Sequence, residues 1–450
     1  MYCKHCGKLL PDDAKTCPRC GKPIDRGSSA ASTLRIVLLT LACVGLAAAI
    51  IWSIYSAVSS ANSSGNTNAS TNTSATDSTD ATEEATYTSY TGTEEEVLAA
   101  AQNIVASMDG AEMTNELFQA FYWSDVYDFF NTYYYYLSYY MDYTEPLDEQ
   151  LYSEDMTWQE YFIESAFTTW QTFQAVALEA EADGYEISAD SQAEIDNMEA
   201  TLLEQAESYG YETALELLQA DMGPGVTLES YREYLQLYYL ANEYYMQMYN
   251  ALSFTEEEIS DYYTENADTI LDSYSVDTDS GRYVDARHIL IMPEGGTTDD
   301  DGNTTYSDEE WAAALEEAER ILAEWLAGDA TEDSFAELAN EYSDDTGSNT
   351  NGGLYSQIAE GDMVEAFEDW CFDESRVYGD YGIVETSYGY HIMYFVSSEE
   401  IWHYYSRNLL ISEAASEQLT AWIDAHPMET FIENVCLGQG TSLYSEEVSE

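Results

Sequence analysis

Cysteine and histidine are the residue types of this chain best suited to chemistry, and both are sparse and unevenly placed. Residues 3–20 read CKHCGKLLPDDAKTCPRC, with two CxxC pairs, Cys3/Cys6 and Cys17/Cys20, each followed by Gly-Lys. Two thiolates so spaced reach one ion when the backbone turns tightly behind them, which Gly7 and Gly21 permit. Four thiolates in this pattern predict a structural Zn²⁺ site; a disulfide pair or a redox CxxC is the competing reading. A segment of roughly 24 residues cannot bury a core of its own, so a metal would supply its folding energy. His5 is superfluous once four thiolates close the site. The other candidate is His391, one of five histidines. It sits within TSYGYHIMYF (386–395), whose apolar and aromatic content predicts a buried strand. A buried imidazole there either serves chemistry or is satisfied by a neighbour and shapes the core.

The charge pattern narrows the function classes. Thirteen basic residues face 86 acidic ones, for a net charge of −73, and all four lysines lie in the first 22 residues. Beyond Ser59 the only cations are Arg232, Arg282, Arg287, Arg320, Arg376 and Arg407. Nucleic acid is excluded as a partner, because phosphate binding needs a basic footprint. Such a surface keeps the chain soluble and attracts cations and basic unfolded chains.

An uncharged apolar run, IVLLTLACVGLAAAIIWSIYSAV (36–58), is long enough to span a bilayer as a helix. With the basic residues before it and an acidic chain after it, the expected topology is a single transmembrane helix at 33–58. The N-terminus is then cytoplasmic and everything later extracytoplasmic. The run is too long for a signal-peptide core. Residues 59–93, rich in Ser, Thr, Asn and Ala, predict a disordered linker with a reach of roughly 30–35 Å.

From Glu94 to about residue 280 every periodic segment reads as helix, with no strand signal. EEEVLAAAQNIVASM opens on acids, TWQEYFIESAFTTWQTFQAVALEAEADGY carries apolar residues at helical spacing and stops at Gly184, and TEEEISDYYTEN begins with a Thr cap and a Glu three later. The tyrosine runs, Tyr133 to Tyr136 and Tyr238/Tyr239, cover more than one helix face. They fill a core or line a cradle for unfolded chains. After Gly281 the pattern changes to strand (RYVDARHILIM), two helices, a glycine turn with a short helix, and a strand pair. That is an α+β domain with an antiparallel sheet. Residues 398–440 are helical again and could pack on the first helical domain, and 441–450 form an acidic tail.

Several motifs in this last stretch are specific in combination: ARHILI (286–291), FAELANEYSDD (335–345), NGG (351–353), GDMVEAFEDWCF (361–372) and IVETSYGYHIMYF (383–395). On them, residues 281–397 resemble a parvulin-type peptidyl-prolyl cis/trans isomerase domain. The helical segment 94–280 resembles, more loosely, the chaperone domain of membrane-anchored foldases of the PrsA and SurA kind. Residues 1–26 are similar to the zinc ribbons at the N-termini of many bacterial membrane proteins.

The resemblance implies a four-stranded antiparallel sheet in the isomerase domain and an all-α chaperone domain. It implies catalytic positions at His288, Asp345 and His391, and substrate-binding positions at Tyr355, Met363, Phe367 and Tyr388. The chain departs from the family where GGLYS replaces the usual GGDLG, and by one extra residue between Ser343 and Gly352. His288 and His391 are expected on adjacent central strands, hydrogen-bonded to each other. Met363 and Phe367, four apart, are expected on one short helix as an apolar seat for the proline ring. The reaction needs no cofactor. The loop 293–310 has acids where phosphate-selective parvulins carry basic residues, so phosphate selectivity is not expected. The expected function is isomerisation of X–Pro bonds in unfolded or nascent secreted polypeptides. The alternatives are a non-catalytic holdase with a degenerate parvulin domain, or a zinc-ribbon signalling protein that senses peptide.

Overall fold

The computed structural model describes residues 89–133, 141–142, 145–153, 155–298 and 304–440. The zinc-ribbon segment, the apolar segment 33–58, most of the linker, Tyr134 to Tyr136 and the acidic tail lie outside the described residues. Among the described residues no helix is long and apolar enough to cross a membrane. They form two compact units, one from the chain up to Leu252 and from Ala414 onward, the other from Ser253 to Glu413.

The first unit begins with helix α1 (Glu94–Ala100), held by a Thr93–Glu96 capping box. The expected continuous helix through EEEVLAAAQNIVASM is not formed. Strands β1 (Ile104–Met108) and β2 (Ala111–Thr114) make an antiparallel hairpin instead. Asp109-Gly110 is the cause: both residues have positive φ, 45° and 92°, and Met108 pairs with Ala111 across them. An Asp-Gly step favours this two-residue hairpin turn. A short strand at Glu429–Thr430 adds to β1 on its other side. The unit is therefore not all-α; a three-stranded antiparallel sheet lies beside its helices.

Those helices are α2 (Asn115–Thr132), α3 (Trp158–Asp183), α4 (Ala189–Tyr209), α5 (Ala214–Met222) and α6 (Leu228–Ala251). A two-stranded ribbon, β3 (Leu151–Ser153) with β4 (Met156–Thr157), leads into α3. Thr157 caps α3, and Gly184 ends it at φ 69°. Aromatic rings of α2, α3 and α6 fill the core: Phe118 lies 4.7 Å from Phe167, and Phe121 meets Tyr234 edge-on at 4.9 Å. Tyr238 is buried in this core, whereas Tyr133 is 38% exposed.

The C-terminal stretch closes the same unit. Ala415, Leu419 and Trp422 join its core. Fully buried Asn115 donates to the Cys436 carbonyl at 2.8 Å and accepts from the Cys436 amide at 2.9 Å. Trp123 donates to the Gly438 carbonyl at 3.0 Å.

The second unit opens with α7 (Glu256–Tyr274), capped by Thr255 and Glu258 as the sequence predicts. The sequence pattern groups this helix with the helices before it. In the structure Ile270 packs with Val276 and Ile401 of the second unit. Then follow β5 (Arg282–Ile291), the ribbon β6 (Thr297–Thr298) and β7 (Thr304–Thr305), α8 (Asp308–Ala327), α9 (Glu332–Tyr342), β8 (Leu354–Ile358), α10 (Glu365–Cys371), β9 (Tyr381–Thr386), β10 (Gly389–Glu400) and α11 (Ile401–Ala425), through which the chain returns to the first unit. The sheet order is β8-β5-β10-β9, antiparallel throughout.

Alternation along the central strands assigns the two faces. Ile289, Ile291, Ile392 and Tyr394 pack with Ala318, Ile321 and Phe335 of α8 and α9. Val284, Ala286, Met393 and Phe395 pack on the other face with Phe367 and Trp370 of α10. His288 and His391 have the same parity as this second set, so both project toward α10. Cys371 and Cys436 are free thiols.

Replacing Asn115 by Ala removes the partner of both the Cys436 amide and the Cys436 carbonyl. We expect urea denaturation of the full chain to show a loss of about 2–3 kcal/mol in the first unit. An unchanged midpoint would show that the C-terminal stretch is not held this way.

Candidate active site

The pairing of β5 with β10 sets Met393 opposite His288 and Leu290 opposite His391. The two histidines are thus diagonal neighbours on one face, within reach of each other. Their rings stack at 5.1 Å, and Nδ1 of His288 lies 2.9 Å from Nδ1 of His391. The Phe367 ring stands edge-on to both, 5.4 Å from each. Both histidines are almost fully buried, with 2% and 5% exposure.

On its far side, His288 Nε2 meets Asp345 Oδ2 at 2.9 Å and Ser348 Oγ at 3.1 Å. Asp345 Oδ2 also accepts from the Ser348 hydroxyl at 2.6 Å and the Tyr355 hydroxyl at 3.0 Å. At the other end of the row, His391 Nε2 lies 2.9 Å from Thr386 Oγ1. One continuous polar chain results: Thr386, His391, His288, Asp345, then Ser348 and Tyr355.

Local backbone chemistry delivers each member. The Ser343 hydroxyl accepts from the Leu290 amide, and the Asp344 amide donates to the Leu290 carbonyl at 2.9 Å, which fastens the loop after α9 to β5. Asp345 then takes the Gly347 amide on its other oxygen at 3.1 Å. Gly353, at φ 71°, runs so close to β5 that a Cβ there would sit 2.1 Å from the His288 carbonyl oxygen. Its own carbonyl accepts the His288 amide at 2.8 Å. This close approach is the physical reason for glycine in the NGG turn. The GGLYS departure continues into β8, where Tyr355 pairs with Ala286 and turns its hydroxyl to Asp345.

Proton positions follow from the partners. Burial would raise the Asp345 carboxyl, but hydrogen bonds from Ser348, Gly347, His288 and Tyr355 outweigh it and hold the group at about 2. An ionised carboxylate only accepts, so His288 carries its proton on Nε2. A neutral His288 then has a bare Nδ1, which must accept from His391 Nδ1–H. His391 Nε2 is left as the acceptor for the Thr386 hydroxyl. Burial keeps both rings neutral: it lowers His288 against the pull of Asp345. It lowers His391 to about 4, with the His288 ring adding to the effect.

The remaining sequence-predicted residues divide. Phe367 is 3% exposed and lies in the cluster beneath the imidazoles. Met363 packs against the same cluster but not from the helix, which starts only at Glu365 after an extended Val364. The Met363 backbone is held instead by a loop in which Glu368 accepts from the Gly361 amide at 2.7 Å. Tyr388 is 57% exposed at the β9–β10 turn, and it joins the polar chain only through its backbone amide, which donates to Thr386 Oγ1 at 3.1 Å. Ser348 and Thr386 are members that the motifs did not predict. Thr386 was accessible from alternation: it lies two residues beyond Val384, which pairs with His391. Ser348 sits in an irregular turn and carried no such signal. The cysteines Cys3, Cys6, Cys17 and Cys20 lie outside the described residues.

Residues 273–397 match the PPIC-type PPIase domain family, and residues 2–24 match the zinc-ribbon domain family. The chain thus carries a parvulin-type peptidyl-prolyl isomerase domain, and the polar chain with its aromatic floor lies inside it. Over longer stretches the chain is similar to the foldase protein PrsA of Halalkalibacterium halodurans, at 31% identity across 47% of this chain and 51% of that one. It is similar also to the foldase protein PrsA of Caldanaerobacter subterraneus, at 32% identity across 37% of this chain and 42% of that one. A crystal structure of PrsA from Bacillus subtilis aligns with 60% of this chain and 86% of its own length, at 21% identity and a TM-score of 0.26. The chain spans about half the length of the first of these relatives.

The depressed imidazoles make the second unit acid-sensitive. An unfolded histidine takes up its proton near pH 6.5, while folded His391 resists until about 4. Stability is therefore lost as pH falls through that window, by about 3 kcal/mol from His391 alone. We expect His391→Gln to flatten the fall in urea midpoint between pH 7 and pH 4.5. Identical slopes in both proteins would contradict the buried neutral ring.

Proposed function

We propose that the second unit catalyses cis/trans isomerisation of X–Pro bonds in unfolded polypeptides, without phosphate selectivity. The observation that carries this reading is the His288–His391 pair, closed by Asp345 and floored by Phe367, inside the segment that matches the isomerase family. The barrier to rotation is loss of amide resonance, ~18–20 kcal/mol, and no covalent step is needed. Catalysis then means favouring the twisted amide over both planar forms. Phe367 and Met363 give the pyrrolidine ring an apolar seat. The fixed protons of the polar chain hold the Ser348 and Tyr355 hydroxyls on Asp345, so the rim of the seat has one arrangement of donors and acceptors. His288, His391 and Asp345 act by positioning and by their field rather than by exchanging protons with substrate.

The wider reading assigns the first unit to holding unfolded or nascent secreted chains. It assigns residues 33–58 to a single membrane helix with a cytoplasmic N-terminus, and Cys3, Cys6, Cys17 and Cys20 to a structural Zn²⁺. Similarity to the PrsA foldases supports the first assignment, the apolar run with its basic flank the second, and the zinc-ribbon match with its four thiolates the third. The loop flanks 293–298 and 304–310 carry no Lys or Arg, which supports the absence of phosphate selectivity.

A protease-coupled or fluorescence assay of prolyl isomerisation on the full chain tests the central assignment. We expect turnover well above a heat-inactivated control, and a loss of about tenfold or more in kcat/KM for Phe367→Ala. No turnover by the folded protein would leave only peptide holding. Full activity in a folded His391→Ala variant would make that histidine a purely structural element.

A further inference from the structure

The polar chain ends at Thr386, and Thr386 also lines an open groove of about 570 Å³ on the surface of the second unit. The groove runs from the start of α10 to the end of β9. Trp311, Val364 and Ala366 provide apolar wall, and Glu365, Asp369 and Glu385 bring three carboxylates to it. Glu365 and Asp369 are one turn apart on α10 and so share a face. Trp311 is held in place by an edge-on contact with Tyr390 at 5.7 Å, and the Tyr390 hydroxyl donates to Glu385 at 3.1 Å. Val364 is 38% exposed, so part of the apolar wall faces solvent.

Among the described residues, no ion pair involves Glu365, Asp369 or Glu385. Arg287 pairs with Glu332, Arg320 with Glu317 and Glu324, and Arg407 with Glu399. Arg282 and Arg376 donate to the carbonyls of Phe372 and Trp370. The groove thus combines an indole and aliphatic wall with unpaired negative charge, and it adjoins the site at which the proline is proposed to sit. A lysine or arginine side chain fits this combination. Its methylene stem lies on apolar surface while its charged head reaches carboxylates, and an indole face attracts the cation.

We propose that this groove binds a lysine or arginine side chain flanking the proline of the substrate, so that the isomerase unit selects X–Pro segments with an adjacent basic residue. The proposal rests on the isomerase reading of the same unit and names its substrate class. The wider surface charge attracts basic chains without discrimination of position. The groove adds a local requirement: the cation must lie next to the proline.

The test compares three peptides identical except for Lys, Ala or Glu beside the proline, with kcat/KM for isomerisation and binding by fluorescence anisotropy both measured on the full chain. A fourth peptide carries the Lys ten positions away. The adjacent-Lys peptide is expected to exceed the Ala peptide by about three- to tenfold, the scale of two or three exposed ion pairs. The Glu peptide should fall below both, and the distant-Lys peptide should show less than half of the gain. In the triple variant Glu365→Gln, Asp369→Asn, Glu385→Gln, the Lys/Ala ratio should drop to about one. In a control variant that removes three exposed acids elsewhere, Glu316→Gln, Glu319→Gln, Asp329→Asn, the ratio should persist.

Equal handling of the Lys and Ala peptides, or a Lys preference that survives the groove variant, overturns the proposal and leaves isomerisation standing. Absence of turnover for every peptide, with a Lys binding preference that the groove variant abolishes, overturns isomerisation and leaves the groove standing.

Discussion

The second unit is organised around a single hydrogen bond between two imidazoles, Nδ1 of His288 to Nδ1 of His391. Two identical atoms 2.9 Å apart must share one proton. If both nitrogens were protonated they would repel, and if neither were, two lone pairs would face each other in a buried site. The bond therefore requires one ring to donate and the other to accept, and something else must decide which. Asp345 decides, because a carboxylate that only accepts forces the proton of His288 onto Nε2. The rest of the architecture keeps this arrangement possible. The β5–β10 register makes the two rings diagonal neighbours, Gly353 lets the chain pass against β5, and Ser343 fastens the loop that brings Asp345 to the ring.

Under the proposed isomerisation, this constraint accounts for groups that usually transfer protons standing beside a reaction that transfers none. Neutral, mutually satisfied imidazoles are rigid polar spacers of a fixed size. They fill the space above Phe367 without leaving an unpaired polar atom, and they pass a definite hydrogen-bond direction from Thr386 to Asp345, which also accepts from Ser348 and Tyr355. Burial sustains the neutrality, and the anionic Asp345 is offset by four donors rather than by a cation. The wall of the proposed proline seat is thus polar in a fixed pattern while carrying a single charge, that of Asp345, above the Phe367 floor.

Where local signals and tertiary packing agree, the sequence was sufficient. The strand around His391, the helix stop at Gly184 and the Thr255 cap all appear as their residue types suggest. The histidine pair was legible only through motifs 103 positions apart, because nothing local links ARHILI to GYHIMYF. The hairpin at Asp109-Gly110 was missed because helical periodicity of the residues before it masked a two-residue turn signal. The short β8 was obscured by the glycine turn before it. Met363 was misplaced because i, i+4 spacing suggests a helix, while Gly361 and the Glu368 carboxylate hold that residue in a loop. Ser348 was invisible, since its role depends on a turn whose shape is set by contacts to a distant strand.

The most direct test is nitrogen-15 NMR of the two imidazoles in the folded full chain at neutral pH. The account predicts neutral rings of opposite tautomer, His288 protonated at Nε2 and His391 at Nδ1, with a scalar coupling across the Nδ1–H···Nδ1 bond. A cationic ring at pH 7, the same tautomer in both, or no coupling would contradict it.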